Sequence, residues 1–326
     1  MKAILVDPST SGNPLRWDDV PDPKSGAGEV LVDVHATAVN RADLLQRAGA
    51  YPPPPGAPEY LGLEMAGVIS EAGATVGEWQ PGDRVCALLA GGGYAEQVAV
   101  PHPLLLRLPD EWDFIRGAGL MEVFLTAFVN LFMEADLREG ETVLIHGGAS
   151  GVGTAAIQLA REAGCRCLAT AGTPEKVARC RELGADVAVN YREEDFGAAL
   201  AGEVVDVILD IGGADYLQRN VELLNLRGRL VVIALLTGAT GSLDLAALQR
   251  KRLRVIGSVL RNRTLEEKAE IVRAFRNRFW PALIDGRAAP VIDSVLPITA
   301  ADQAHQILAD NRNVGKVILT VRDAAG

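Results

Sequence analysis

Val143-Leu-Ile-His146, Gly147-Gly-Ala-Ser-Gly-Val-Gly153 and Thr154-Ala-Ala-Ile-Gln-Leu-Ala160 follow one another without interruption. They read as a buried strand, a glycine-rich turn and a helix, which is the order a dinucleotide-phosphate loop requires. The strict spacing G-x-G-x-x-G is not kept: counted from Gly148, the third position is Ser150 and the sixth is Gly153. The physical requirement survives the variation. Gly151 and Gly153 let backbone N–H groups and the helix N-terminus approach a pyrophosphate without a Cβ in the way, and Ser150 adds a hydroxyl donor. The segment Ser150-Gly151-Val152-Gly153 is therefore the candidate pyrophosphate cradle.

Downstream, helical stretches at 152–163, 174–183 and 215–226 alternate with apolar runs at 165–171, 186–189, Val204 to Ile211, Gly228 to Leu235 and Arg254 to Leu260. This alternation argues for βαβ units and a parallel sheet covered on both faces, a doubly wound α/β domain of about six strands. In an enzyme that uses NAD, an Asp or Glu about 20 residues beyond the glycines holds the ribose hydroxyls. Here that region is Thr170-Ala-Gly172-Thr173, and it contains no acid. The loop offers hydroxyls instead, and Lys176, one turn into the next helix, is placed to neutralise a 2′-phosphate. Glu175 is its neighbour, but adjacent helix residues face different directions. The expected cofactor is NADPH.

The chain before this domain has another texture. Gly and Pro punctuate it at Pro21-Asp-Pro23, Pro52 to Pro55, Pro81-Gly-Asp83, Gly91-Gly-Gly93 and Pro109, with short β-like runs at 2–6, 30–39, 65–71 and 95–100. Such a density of turns suits an antiparallel, barrel-like domain. Its main helical stretch is Asn40 to Gln46. The tail returns to mixed texture, with helices expected near 265–283 and 300–309, an extended Val291 to Leu296 and a last strand at Lys316 to Val321. We therefore expect a catalytic domain over 1–120, a cofactor domain over 121–262 and a return to the catalytic domain over 263–326.

Length and charge bound the function. A chain of 326 residues exceeds what one hydrophobic core usually organises. Acids outnumber bases 42 to 32, and the resulting net charge of −10 argues against nucleic-acid or anionic-membrane partners. The apolar run after Met1 ends at Asp7-Pro8, short of an export signal, and Val123 to Ala135 is too short to span a bilayer, so a soluble cytoplasmic protein is expected. Cys86, Cys165, Cys167 and Cys180 read as buried thiols, and the four histidines lack metal-pair spacing, so no metal ligands are expected.

Several blocks together resemble one family. They are Asn40-Arg-Ala-Asp-Leu-Leu-Gln-Arg47, Gly49-Ala-Tyr-Pro52, Leu61-Gly-Leu-Glu-Met-Ala-Gly67, Gly82-Asp-Arg-Val85, Leu125-Thr-Ala127, Ile145 to Leu159, Asn190-Tyr-Arg-Glu-Glu-Asp-Phe196 and Gly315-Lys-Val317. In this order they resemble the medium-chain dehydrogenase/reductases, which join a GroES-like β-barrel to a Rossmann domain. The likeness is greatest to their zinc-free quinone oxidoreductases of the p53-inducible type. Zinc-dependent members carry a Cys after the third strand and a His in a G-H-E block. Here 37–43 has no Cys, and Leu63 stands where that His would be. Without Zn²⁺ to polarise an alcohol, the resemblance implies reduction of an electron-poor acceptor.

Carried over residue by residue, the resemblance implies that Asn40 and Thr126 line the nicotinamide end of the cofactor cleft, with Tyr51 at its mouth. Lys176 and Tyr191 match positions that hold the 2′-phosphate. Leu235, the segment Ser258 to Leu260 and Arg261 fall where the family's chain approaches the carboxamide, and Asn313 falls where the C-terminal segment closes on the cofactor. The implied reaction is hydride transfer from NADPH to a small quinone. An NADPH-dependent enal or enoyl-thioester reductase, with Tyr51 as acid, is the enzymatic alternative. An NADPH-binding, crystallin-like structural protein is the non-enzymatic one. A homodimer is expected through the last Rossmann strand, which would otherwise leave an apolar edge.

Overall fold

The computed structural model describes residues 1–322. The chain divides into two compact units. The first comprises Met1–Val123, Arg261–Ile284 and the segment from Ala289 on; the second comprises Phe124–Leu260 and Asp285–Ala288. The last four residues of the expected returning segment lie outside the described residues.

In chain order the first unit begins with β1 (Lys2–Val6), β2 (Leu15–Asp19), β3 (Glu29–Ala38), α1 (Arg41–Arg47), β4 (Glu64–Ala72), β5 (Arg84–Leu88), β6 (Gln97–Pro101), β7 (Leu105–Arg107) and α2 (Phe114–Ala118). The helix α3 (Met121–Phe128) then leads into the second unit and widens into a π-helical coil over Val129–Glu134. The second unit contains β8 (Thr142–Ile145), α4 (Gly151–Glu162), β9 (Arg166–Ala171), α5 (Pro174–Leu183), β10 (Val187–Asn190), α6 (Phe196–Ala199), β11 (Val205–Asp210), α7 (Ala214–Leu223), β12 (Leu224–Val232), α8 (Leu245–Lys251) and β13 (Arg254–Gly257). The chain finishes with α9 (Leu265–Ile284), β14 (Ile292–Pro297), α10 (Ala301–Ala309) and β15 (Lys316–Thr320).

The sheet of the first unit has the order β14-β15-β3-β4-β5-β7, with β6 also paired to β3. β3 organises it. One edge of this ten-residue strand pairs with β4, while the other receives β6 along Glu29 to Asp33 and β15 along Ala36 to Ala38. Irregular register at Leu31/Val32 and Val34/Ala36 bends the strand between those partners. Every pairing is antiparallel except β14 with β15. A core of Ile4, Val39, Leu61, Tyr94, Leu296, Leu308 and Val317 packs under α10.

The second unit is a six-stranded, wholly parallel sheet in the order β10-β9-β8-β11-β12-β13. That order is the doubly wound Rossmann arrangement. Its direction reverses between β8 and β11, the place where such sheets receive ligands. Leu144, Leu168, Ile208, Val221 and Leu230 form the core beneath α6, α7 and α8.

Boundaries differ from expectation where backbone geometry intervenes. The helix expected over 215–226 stops at Leu223, because β12 starts at Leu224 to pair with β11 and the chain then turns through Arg227 at φ 63°. The last Rossmann strand is also shorter than expected, ending at Gly257. Prolines and glycines hid the short strands β2, β5 and β7, and the apolar run from Val123 is a buried helix. No helix among the described residues is long and apolar enough to cross a membrane.

One ion pair ties β15 to β4 inside the first unit. Lys316 Nζ lies 2.8 Å from Glu64 Oε1, and both side chains are almost wholly buried. The ammonium also donates to Asn40 Oδ1 at 2.6 Å and Val39 O at 3.0 Å, so its three protons are all used. Glu64 in turn accepts from Asn40 Nδ2 at 3.0 Å and from the Glu122 N–H at 2.9 Å. Saturated hydrogen bonding of this kind offsets the desolvation of two charges, whereas removing one partner leaves the other exposed to its full cost. Lys316→Met is expected to lower stability by roughly 3–5 kcal/mol in urea unfolding. Adding Glu64→Gln should recover part of that loss, and an unchanged midpoint in the single variant would contradict this account.

Candidate functional site

The phosphate loop of the second unit starts where β8 ends. Ser150 is the N-cap of α4, and its Oγ accepts from the Gly153 N–H at 3.0 Å. Gly151 and Val152, the first two residues of this twelve-residue helix, have no intrahelical carbonyl for their N–H groups. With the positive end of the helix dipole behind them, they form a donor set for an anion. Gly153 also meets a packing requirement. A Cβ there would lie 2.2 Å from Gly147 O, so the glycine lets α4 pack against the turn.

The 170–173 loop contains a second close approach. A Cβ on Gly172 would lie 2.6 Å from the Tyr191 hydroxyl and 3.4 Å from Arg192 Nε, so the phenol and a guanidinium both stand over this glycine. No carboxylate occurs in 170–173. Arg192 is exposed and was not singled out from the sequence; its signal was its place beside Tyr191 in the quoted block. Lys176 is buried, 7% exposed, in the first turn of α5. Two hydroxyls in this stretch have partners within the second unit. Thr170 is fully buried, with Oγ1 3.1 Å from His146 Nδ1, while His146 Nε2 reaches Asn220 Oδ1 at 2.8 Å. Burial lowers His146 to about 4, so a neutral imidazole bridges Thr170 and Asn220 inside the core. Thr173 caps α5, accepting from the Lys176 N–H at 3.2 Å and donating to the Glu175 carboxylate.

The first unit gathers the residues with chemical potential. Tyr51 is half-buried, and the Arg261 guanidinium carbon lies 5.3 Å from its ring centroid. Burial raises its phenol, Glu122 raises it further, and Arg261 opposes them, so Tyr51 remains protonated at neutral pH. Arg261, expected at the cofactor, is buried in the first unit and donates to Ala90 O at 2.8 Å, Tyr51 O at 3.3 Å and Gln46 Oε1 at 2.7 Å, which fixes the Tyr51 segment. Lys268 of α9 holds it from behind through Arg261 O, 2.6 Å away.

Asn40 lies beside this group with little left to offer a ligand. Both of its amide protons are engaged, by Ala38 O at 3.3 Å and Glu64 Oε1 at 3.0 Å, and its oxygen takes the Lys316 proton. Its backbone N–H goes to Asp43 Oδ2 at 2.8 Å, and Asp43 Oδ1 accepts from Gly62 N at 3.0 Å. Burial pushes Asp43 up to about 6 despite those bonds. A buried chain continues through the Tyr94 hydroxyl, 3.4 Å from Asp43 Oδ2 and 3.2 Å from His305 Nε2. Sequence reasoning assigned no role to Glu64, Asp43, Glu122 or Lys316. Three of them fall inside quoted blocks, and Glu122 is a lone carboxylate ahead of an apolar run.

The remaining expected residues are divided between the two units. Thr126 is half-buried in α3 of the second unit, and among the described residues no hydrogen bond engages its hydroxyl. Leu235 is exposed beyond β12, packed at Gly213, while Ser258 continues β13 by donating its N–H to Val232 O at 3.1 Å. Leu260 is buried. Asn313, in the first unit, is buried and donates to Gly315 O at 2.7 Å, which braces the turn before β15.

Comparison with known proteins agrees with this architecture. Residues 26–110 match the model of the alcohol dehydrogenase GroES-like domain, and residues 151–276 match the zinc-binding dehydrogenase model. A quinone oxidoreductase of Mus musculus is 33% identical over 311 residues, covering 92% of each chain. A quinone oxidoreductase from Thermus thermophilus, solved also with NADPH, superposes with a TM-score of 0.84 at 34% identity, over 98% of this chain and 100% of that one. The CurK enoyl reductase superposes with a TM-score of 0.85 at 28% identity, over 98% of each chain. The chain belongs to the medium-chain dehydrogenase/reductase superfamily, and its relatives there include quinone oxidoreductases.

Proposed function

We propose that this protein is an NADPH-dependent reductase of small quinones that works without zinc. The observation that carries the cofactor assignment is the Gly172 loop, where a phenol and a guanidinium stand over a glycine in a stretch free of carboxylates. An NAD ribose calls for an acceptor at this place, whereas a 2′-phosphate calls for donors and positive charge. Tyr191, Arg192 and Lys176 would hold that phosphate, and the Gly151 and Val152 N–H groups with the Ser150 hydroxyl would hold the pyrophosphate. When bound, NADPH supplies a hydride from C4 of its nicotinamide.

The acceptor assignment draws on the quinone oxidoreductases among the relatives and on Leu63, which is packed into the core where a zinc ligand would be needed. A quinone accepts hydride readily, so the residues around Tyr51 have mainly to orient a flat ring and exclude water. The phenol of Tyr51, kept neutral by burial, gives such a ring an aromatic face and one hydrogen-bond donor. Reduction of an enal or enoyl thioester is the rival reading, favoured by the likeness to an enoyl reductase. The two differ in where the proton must go, since an enoyl substrate has to be protonated on carbon.

Four outcomes test the proposal. Wild-type protein should bind NADPH much more tightly than NADH in fluorescence titrations; equal affinities would sink the cofactor assignment. Lys176→Ala and Arg192→Ala should each weaken NADPH by on the order of 1.5–3 kcal/mol while leaving NADH nearly unchanged. Tyr51→Phe should keep most of kcat with quinones, because no proton need come from its hydroxyl. A fall of about 10²-fold or more in that variant, with NADPH affinity intact, would make Tyr51 the acid and favour the enoyl reading. We further propose a homodimer through β13, an edge strand with Val255 43% exposed and Val259 53% exposed just beyond it. Light scattering at micromolar concentration should give twice the chain mass, and a monomer would refute the dimer.

A further inference from the structure

His146 has no part in the proposed chemistry, yet the second unit bears the cost of enclosing an imidazole at the end of β8. The ring is 1% exposed and meets Phe196 of α6 and Tyr216 of α7 edge to face, with centroids 4.7 Å and 4.8 Å away. A leucine would fill such a space with no polar group to satisfy. What the imidazole adds is a continuous run of hydrogen bonds. Nε2 lies 2.8 Å from Asn220 Oδ1 of α7, and Nδ1 lies 3.1 Å from Thr170 Oγ1 of β9. Thr170 then holds the turn after His146 at two points: Oγ1 accepts from the Gly147 N–H at 3.4 Å, and its carbonyl accepts from the Gly148 N–H at 2.8 Å. Gly147 O in turn accepts from the Ser150 N–H at 2.8 Å, and Ser150 caps α4.

We propose that His146 is a positioning residue for the dinucleotide: by fixing the Thr170 hydroxyl it orders the glycine-rich turn, and so sets where the Gly151 and Val152 N–H groups stand before a pyrophosphate arrives. This rests on the reading that the second unit binds NADPH. A turn that opens with two consecutive glycines, the first at φ 66°, has the greatest backbone freedom to lose. Donors held in place beforehand spare the ligand that ordering cost. The same anchor serves the other end of the site, because Thr170 lies two residues before Gly172, the glycine beneath the Tyr191 hydroxyl.

The direction of donation follows from the partners. Thr170 Oγ1 already accepts from Gly147, so its own proton goes to Nδ1; Nε2 carries the ring proton and gives it to Asn220 Oδ1. The opposite tautomer would leave the Thr170 proton without an acceptor among the described residues. Thr170 and Asn220 are themselves wholly buried, so no water competes for these groups. Burial lowers the imidazole, and Arg219 nearby acts in the same direction, so the neutral ring that this run requires persists at neutral pH.

The test uses the full chain. His146→Leu and Thr170→Val should each weaken NADPH and NADH alike, by about 10-fold in fluorescence titrations, because both dinucleotides contain the pyrophosphate. His146→Asn puts an amide oxygen where Nδ1 stands and should recover most of the affinity, whereas His146→Gln, whose amide reaches toward Asn220, should not. Removing both partners separates positioning from stability. The double variant His146→Leu/Thr170→Val leaves no hydroxyl unpaired against an apolar side chain, so it should resist urea better than His146→Leu yet bind the dinucleotides no better. It and Thr170→Val also serve where His146→Leu fails to fold. Two readouts need no cofactor. Nitrogen NMR of the wild type at pH 7 should find the ring proton on Nε2, and the Gly147 and Gly148 amides should exchange with solvent faster in the Leu and Val variants while those of β8 keep their rates. Wild-type affinity for both dinucleotides in a folded Leu or Val variant, wild-type exchange at Gly147 and Gly148, or a ring proton on Nδ1 overturns the proposal. Wild type that binds neither dinucleotide sinks the cofactor reading instead, and the exchange rates at Gly147 and Gly148 then decide alone whether His146 orders the turn.

Discussion

The buried pair of Lys316 and Glu64 is the constraint on which the rest of the first unit depends. It joins a strand near the end of the chain to a strand more than two hundred residues earlier, inside a region where neither charge reaches water. An interior ammonium is tolerable only when every proton has an acceptor, and a carboxylate only when its lone pairs are used. Meeting both conditions fixes Asn40, Val39 and the start of α3 in one arrangement. The Tyr51 segment follows from α1, and Arg261 with Lys268 clamps it from the other side.

The alternation of strand and helix after residue 140 was legible because both faces of a parallel sheet are covered, so its strands are continuous apolar runs separated by amphipathic stretches. The glycine-rich turn before α4 was legible for a similar reason, since glycines there answer a backbone requirement that shows in the residue type itself. The reason for one glycine was not. Gly153 sits where a pyrophosphate glycine is expected, and the carbonyl of Gly147 also forbids a side chain there, a packing contact that spacing alone does not reveal. The short strands β2, β5 and β7 were hidden because their three to five residues give too few alternations to stand out among prolines and glycines.

Side-chain surroundings were harder to read, and for a common reason. Thr170 has a hydroxyl in the right stretch of sequence, but His146 lies behind it and takes that hydroxyl into the core. Arg261 has a charge near the expected cofactor segment, but its three donor positions face carbonyl and amide oxygens at positions 46, 51 and 90. Lys316 and Glu64 are separated by most of the chain, and nothing local marks them as partners. A hydrogen-bond network distributed over β4, β15, α1 and α3 is a property of the fold, and it becomes visible only after the fold has placed its members.

The two units consequently carry different kinds of information. In the second, the candidate binding features are backbone N–H groups at a helix start and a close approach over glycine, and such features constrain sequence locally. In the first, chemical character comes from how charges are balanced. Lys316 pairs with Glu64, hydrogen bonds moderate Asp43, and burial pushes Glu122 up against the pull of Lys316 and Lys268. The upward shift of Glu122, driven first by burial and then by Glu64, against the pull of Lys316 and Lys268, is a direct consequence of that balance. It is also a feature that no single residue in the sequence could announce.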